Sequence, residues 1–165
     1  MTMVFDADSH VMELDDWLPA YADPGVREQL RSLGLAKAGA GAAKLFDSLP
    51  EVWERHRQED IGPDVISGPK GWLAPGALDA SVRSRVLDAL GISAQLVFPT
   101  FALTQFAFTD DQDVRYGGTR AINRGMADFC AGDERLLAVG YLPLHDPARA
   151  LEELEVALDL GVAAV

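Results

Sequence analysis

Polar and apolar residues alternate along the opening stretch VFDADSHV, residues 4–11. In an extended chain this puts Phe5, Ala7, Ser9 and Val11 on one face and Asp6, Asp8 and His10 on the other. The pattern predicts a first strand over residues 3–11. Helical spacing first becomes regular near residue 79, where Val82, Val86, Leu87 and Leu90 share a stripe and Gly91 supplies the stop. The run SAQLVFPT (93–100) predicts a buried strand ended by Pro99. A helix is expected over 109–130, with Thr109 and Gln112 as a capping box, Asp110 and Asp111 at the positive end of the dipole, and a bend at Gly117–Gly118. RLLAVGYLPL (135–144) predicts a third strand. Asp146 then reads as an N-cap with Pro147 at the first helical position, and Leu151, Leu154, Ala157 and Leu158 as the inward face of the helix that follows. Gly161 ends that helix, and VAAV (162–165) reads as the opening of a fourth strand.

The segment between the first strand and this regular part has another character. Residues 12–80 hold most of the nine prolines and all three tryptophans, Trp17, Trp53 and Trp72. AGAGAA (38–43) reads as mobile, and SLPEVWERHRQ (48–58) predicts a short helix. Connections this long are as a rule functional or disordered, and the tryptophans argue for order in much of this one.

Strands alternating with helices imply parallel pairing through right-handed crossovers. Near-continuous apolar strands agree, because such sheets are covered on both faces. The expected architecture is therefore an α/β fold of parallel βα repeats, a single domain over residues 1–165 with the 12–80 insert after strand one. A (β/α)8 barrel needs about 250 residues. Four predicted strands make this chain read as the N-terminal half of a TIM barrel. An open flavodoxin-like domain is the other α/β arrangement, but no phosphate-binding glycine fingerprint supports it.

Composition narrows the function without naming it. The formal net charge is −12 and no basic patch is visible, which argues against a nucleic-acid partner. No apolar run approaches the roughly 20 residues of a membrane span, and no basic stretch followed by an apolar one opens the chain. A single cysteine, Cys130, rules out an internal disulfide and a cysteine-based zinc cluster. A cytoplasmic setting is expected, with Cys130 an inert buried thiol.

The candidate chemistry lies on the first strand. Asp8 and His10 would have Cα atoms roughly 6.5–7 Å apart, close enough for both side chains to lean toward one cation. A carboxylate and an imidazole suit zinc, manganese or iron. Spacing alone leaves a plainer reading beside it: an edge strand with a wet polar face, Asp6 capping a loop and His10 bonding a backbone carbonyl. In a parallel barrel the active site sits at the C-terminal strand ends. Phe98 and Thr100 after strand two, and His145 after strand three, are therefore candidate substrate-lining residues. Phe98 equally fits the core, Thr100 a turn, and His145 a solvated position before the Asp146 cap. His56, beside Trp53 and Arg55 on the insert, fits a lid over a carboxylate substrate or a surface helix. Glu13 follows the strand, and Asp15 or Asp16 is expected to cap the turn that holds Trp17.

VFDADSHVMELDDWLPAY resembles the start of the amidohydrolase-related (amidohydrolase 2) family of metal-dependent hydrolases and decarboxylases, whose first strand carries an acid- or His-x-His signature followed by Val and Glu. LDALGISAQLVFPT and AINRGMADFCAGDERLLAVGYLPLHDPARALEELEVALDLGVAAV match in the same order. The resemblance implies a TIM barrel in which Asp8 and His10 are first-strand ligands of one divalent metal, zinc before manganese or iron, and Asp6 orients a ligand. The family's other ligands follow strands five, six and eight, beyond the four strands read here. The complete enzyme is expected to use the metal as Lewis acid, either for hydrolysis or for non-oxidative decarboxylation of a small, cyclic, carboxylated substrate. Its partners would be that substrate and either a second copy or a C-terminal half. The alternative is a non-catalytic half-barrel stabilised by self-association.

Overall fold

The computed structural model describes residues 2–39 and 41–165. Strand β1 (Phe5–His10) leads into an insert carrying helices α1 (Trp17–Tyr21), α2 (Pro24–Arg27) and α3 (Ala42–Gln58), with short 3-10 turns between them. The order then becomes regular: α4 (Ala80–Leu90), β2 (Ala94–Phe98), α5 (Gln112–Cys130), β3 (Leu136–Ala138) and α6 (Pro147–Asp159). The three strands form one sheet in the order β1-β2-β3, both pairings parallel. A single parallel bridge from Val139 to Ala164 carries the sheet toward the expected fourth strand. No helix among the described residues is long and apolar enough to cross a membrane.

One face of the sheet is the core. Gln95 and Val97 of β2 and Leu136 and Ala138 of β3 are buried and alternate with half-buried Leu96, Phe98 and Leu137. The core joins Val97, Leu136 and Ala138 to Leu87 of α4 and to Ala121, Ile122, Met126 and Phe129 of α5. The opposite face is open: Phe5 is 63% exposed, and with Ala7, Ala94, Leu96 and Leu137 it lines a shallow apolar hollow of about 260 Å³.

Local signals at helix ends are obeyed. Asp79 and Asp146 accept backbone N–H bonds at the starts of α4 and α6, and Gly91 ends α4 in the left-handed conformation at φ 63°. At α5 the cap moves. Asp111, not Thr109, accepts from the N–H groups of Asp113 and Val114, while the Thr109 hydroxyl accepts from Asp111 N–H. α5 runs unbroken through Gly117 and Gly118 because both are close-approach sites. A Cβ on Gly118 would lie 2.2 Å from Phe106 Cγ, and one on Gly117 2.3 Å from Val26.

Three expectations change, two of them for long-range reasons. β3 is three residues long; sheet bonds continue only to Gly140, and beyond it the Asn123 side chain on α5 takes both backbone polar groups of Tyr141. The inward face of α6 is Ala150, Glu153 and Ala157, while Leu151 and Leu158 are 65% and 55% exposed. Glu153 is turned inward by Arg120, which grips its carboxylate with two bonds of 2.6 and 2.9 Å. α3 starts at Ala42, six residues before the expected helix, with Pro50 inside it. The stretch expected to be mobile therefore ends in helix, and its Ala40 lies outside the described residues.

Much of the insert is tied down. Trp72 stacks on Phe101 at 4.9 Å, its indole N–H donates to Glu13 O, and its own carbonyl accepts from the Trp53 indole. Asp16 stands at the N-cap of α1 without a side-chain bond. Asp15 instead accepts from the Ser32 hydroxyl and the N–H groups of Leu33, Gly34 and Leu35. Burial opposes ionisation of Asp15, yet these hydrogen bonds outweigh it and hold its carboxyl below the usual range.

Two outcomes follow for stability. Helix propensity alone would make Gly118→Ala stabilising by about 1 kcal/mol. The Phe106 contact makes it overpacked, and a net loss of about 1–3 kcal/mol is expected in urea unfolding. Asp15 contributes stability that is present above the unfolded carboxyl range and lost as pH falls below about 4. Asp15→Asn should cost about 1–2 kcal/mol at neutral pH and flatten the acid limb of the stability profile, read by chemical denaturation from pH 7 downward.

Candidate metal-binding site

The register of β1 departs from simple alternation. Phe5 and Asp6 pair with Ala94 and Gln95, whereas Ser9 and His10 pair with Val97 and Phe98, so one extra residue is accommodated between Asp6 and Ser9. Paired residues on neighbouring strands point the same way. Asp6 and Ser9 therefore both lie on the buried face with Gln95 and Val97, and His10 lies on the open face with Phe98. This corrects the expectation that Asp6 shares a face with His10.

The bulge has a buried anchor. Arg83 of α4 reaches under β1 and donates to the Ser9 hydroxyl, to His10 O at 2.8 Å, to Gly76 O at 2.8 Å and to Gln95 Oε1 at 3.1 Å. Gln95 Nε2 donates in turn to Asp6 Oδ2 at 2.8 Å, and Asp6 Oδ1 accepts from Asp8 N–H at 3.1 Å. Asp6 thus touches the backbone of Asp8, not its carboxylate. Burial disfavours the charged form of Arg83, and Asp6 offsets part of that cost. Neither the role of Arg83 nor that of Glu13 follows from the opening motif. A signal for Arg83 was present, since residues 83, 86, 87 and 90 form one helical stripe with a single charge in it.

On the open face the C-terminal end of β1 brings Asp8 and His10 together. His10 Nε2 faces Asp8 Oδ1 at 3.2 Å, and His10 Nδ1 faces Thr100 Oγ1 at 3.1 Å. The His10 and Phe98 rings are 5.7 Å apart, centre to centre. The Asp8 side chain is 89% exposed and that of His10 41%. Thr100 is set by Glu13, a wholly buried carboxylate that accepts from the N–H groups of Thr100 and Phe101. Burial pushes the Glu13 carboxyl up, against those hydrogen bonds.

Phe98 and Thr100 are therefore gathered around His10, and the other two histidines are not. His145 is exposed in the turn before α6. His56 lines a separate hollow of about 210 Å³ with Glu59, Asp60 and Asp64. Burial pushes the Cys130 thiol up to about 11, in keeping with an unreactive side chain.

A cleft of about 480 Å³ runs beside β1, lined by Asp6, Asp8, His10, Met12, Lys70 and Arg83 among others. An imidazole nitrogen and a carboxylate oxygen facing each other are a donor pair that suits a divalent cation. No group of three or more His, Cys, Asp or Glu residues placed to hold a metal occurs among the described residues.

No protein-family model matches the sequence, and no curated protein is similar to it at a significant level. Among solved structures the chain is similar to an amidohydrolase from Mycobacterium avium subsp. paratuberculosis K-10, with a TM-score of 0.64 and 21% identity. The fold is amidohydrolase-like. The match covers 97% of this chain and 47% of the other, so the chain spans about half the length of that structure.

Replacing Arg83 tests the anchor. Arg83→Met removes a charge whose burial is costly, but orphans the carbonyls of His10 and Gly76 together with the side chains of Ser9 and Gln95. Four acceptors outweigh one desolvated cation, and a loss of about 2–4 kcal/mol is expected in urea unfolding.

Proposed function

We propose that the chain is the N-terminal, metal-ligating half of an amidohydrolase-like TIM barrel. The whole would act as a metal-dependent hydrolase or non-oxidative decarboxylase on a small, cyclic, carboxylated substrate. The observation that carries this reading is the meeting of His10 Nε2 and Asp8 Oδ1 at the C-terminal end of β1, the end where parallel barrels keep their chemistry. Asp8 and His10 would hold the metal, zinc before manganese or iron, and the rest of the barrel would supply the further ligands. When bound, the metal supplies Lewis acidity. Phe98 lies where it would flank a ring, and Thr100 orients His10. Asp6 fixes the Asp8 backbone from the far side of the strand. The neighbour's description as an amidohydrolase favours the hydrolytic arm.

A second reading has its own observation. The bare apolar face formed by Phe5, Ala7, Leu96 and Leu137 and the unpaired edge of β1 fit a half-barrel that covers itself by pairing with another copy. Bound metal and mass separate the two. The enzymatic reading expects zinc to co-purify or titrate in. Asp8→Ala and His10→Ala should each weaken binding by more than the roughly 10–100-fold that losing an outer partner costs, read by plasma mass spectrometry and competition with a chelating dye. A dimer by light scattering whose mass is unchanged by either substitution, with no bound zinc in any form, would leave only the self-associating module.

A further inference from the structure

The end of the β1–β2 ladder contains a hydrogen-bond count that decides where His10 keeps its ring proton. Val11 N–H donates to Phe98 O at 2.9 Å. A parallel ladder would continue with Thr100 N–H donating back to Val11 O. That rung is not made, because Thr100 N–H is taken by Glu13 Oε1 at 2.8 Å and Phe101 N–H by Glu13 Oε2 at 2.9 Å. Val11 is wholly buried, so its carbonyl has no water to turn to. The Thr100 hydroxyl fills the gap at 2.6 Å. A hydroxyl carries one proton. Its other acceptor, Met12 Sδ at 3.9 Å, is a far weaker competitor. With that proton committed, Thr100 Oγ1 has only lone pairs to offer His10 Nδ1, 3.1 Å away, and Nδ1 must be the donor.

We propose that Thr100, set in place by Glu13, is a positioning residue that holds neutral His10 as the Nδ1–H tautomer and presents a bare Nε2 beside Asp8 Oδ1. The opposite tautomer would send Nε2–H to Asp8 and turn the Thr100 proton to Nδ1. It gains a bond to a carboxylate that is 89% exposed and already served by water. It loses the only donor that reaches the Val11 carbonyl among the described residues. The buried loss outweighs the exposed gain. The use of the bare nitrogen, a cation ligand, rests on the metal reading; the tautomer does not.

The test reads imidazole nitrogens by long-range proton–nitrogen correlation in the full, metal-free, labelled chain. The pH is raised until no ring is an imidazolium. There are three histidines, and His56→Asn and His145→Asn assign His10 by elimination. The parent should show Nδ1–H with unprotonated Nε2. Thr100→Val should move the proton to Nε2, and Thr100→Ser should restore the parent pattern. Thr100→Ala serves if the valine form does not fold. An Nε2–H tautomer in the parent overturns the proposal, and so does an Nδ1–H pattern that survives loss of the hydroxyl. Zinc is then added to each form. Zinc should bind roughly tenfold more weakly to the form lacking the hydroxyl and with near-parent affinity to the serine form. If zinc fails to bind the parent while the tautomer pattern holds, the metal reading falls and the positioning role of Thr100 stands.

Discussion

Arg83 is the constraint on which the site depends. Its guanidinium sits under β1 and bonds Ser9, the carbonyl of His10, Gly76 of the insert and Gln95 of β2. A strand with an extra residue has no reason of its own to stay in one register. Here the bulge is fixed from below, by a helix residue that is close to completely buried. The same bonds make α4, the insert and both strands one unit, so the open end of β1 is held by parts of the chain more than seventy residues apart.

Two buried charges of opposite sign share this work. Arg83 holds the strand from the helix side, and Glu13 holds the loops beyond β1 and β2 by taking two backbone N–H groups. Each costs desolvation, which several directed bonds offset only in part. Between them the Asp8–His10 pair and the ring of Phe98 lie on the open side of the sheet. The apolar surface that continues along this side runs from exposed Phe5 to half-buried Leu96 and Leu137.

The parts of the fold written locally were legible in the sequence. The stripe of α4 with Gly91 after it, the Asp146–Pro147 start of α6 and the apolar run of β2 each need only a few neighbouring residues to be read. What escaped was set by distant partners. Asn123 shortens β3 by capturing Tyr141, Arg120 turns Glu153 inward at the expense of Leu151 and Leu158, and Val26 and Phe106 pack where side chains on Gly117 and Gly118 of α5 would lie. The site was half legible for the same reason. The spacing of Asp8 and His10 is in the motif, and Thr100 was a candidate for its place at a strand end. The bulge that separates Asp6 from His10 leaves no trace in a pattern of alternating residues, and Glu13 reads as an ordinary loop acid.

The bulge gives one short strand two masters. Asp6 answers to the helix-facing network and His10 to the open side, yet only the three residues Ala7 to Ser9 lie between them, with Asp8 N–H bonded to Asp6. A disturbance at Asp6 would therefore reach the imidazole as a shift in the main chain, transmitted like slack in a taut cord. Its mark would be a ligand pair of the right chemistry standing in the wrong place.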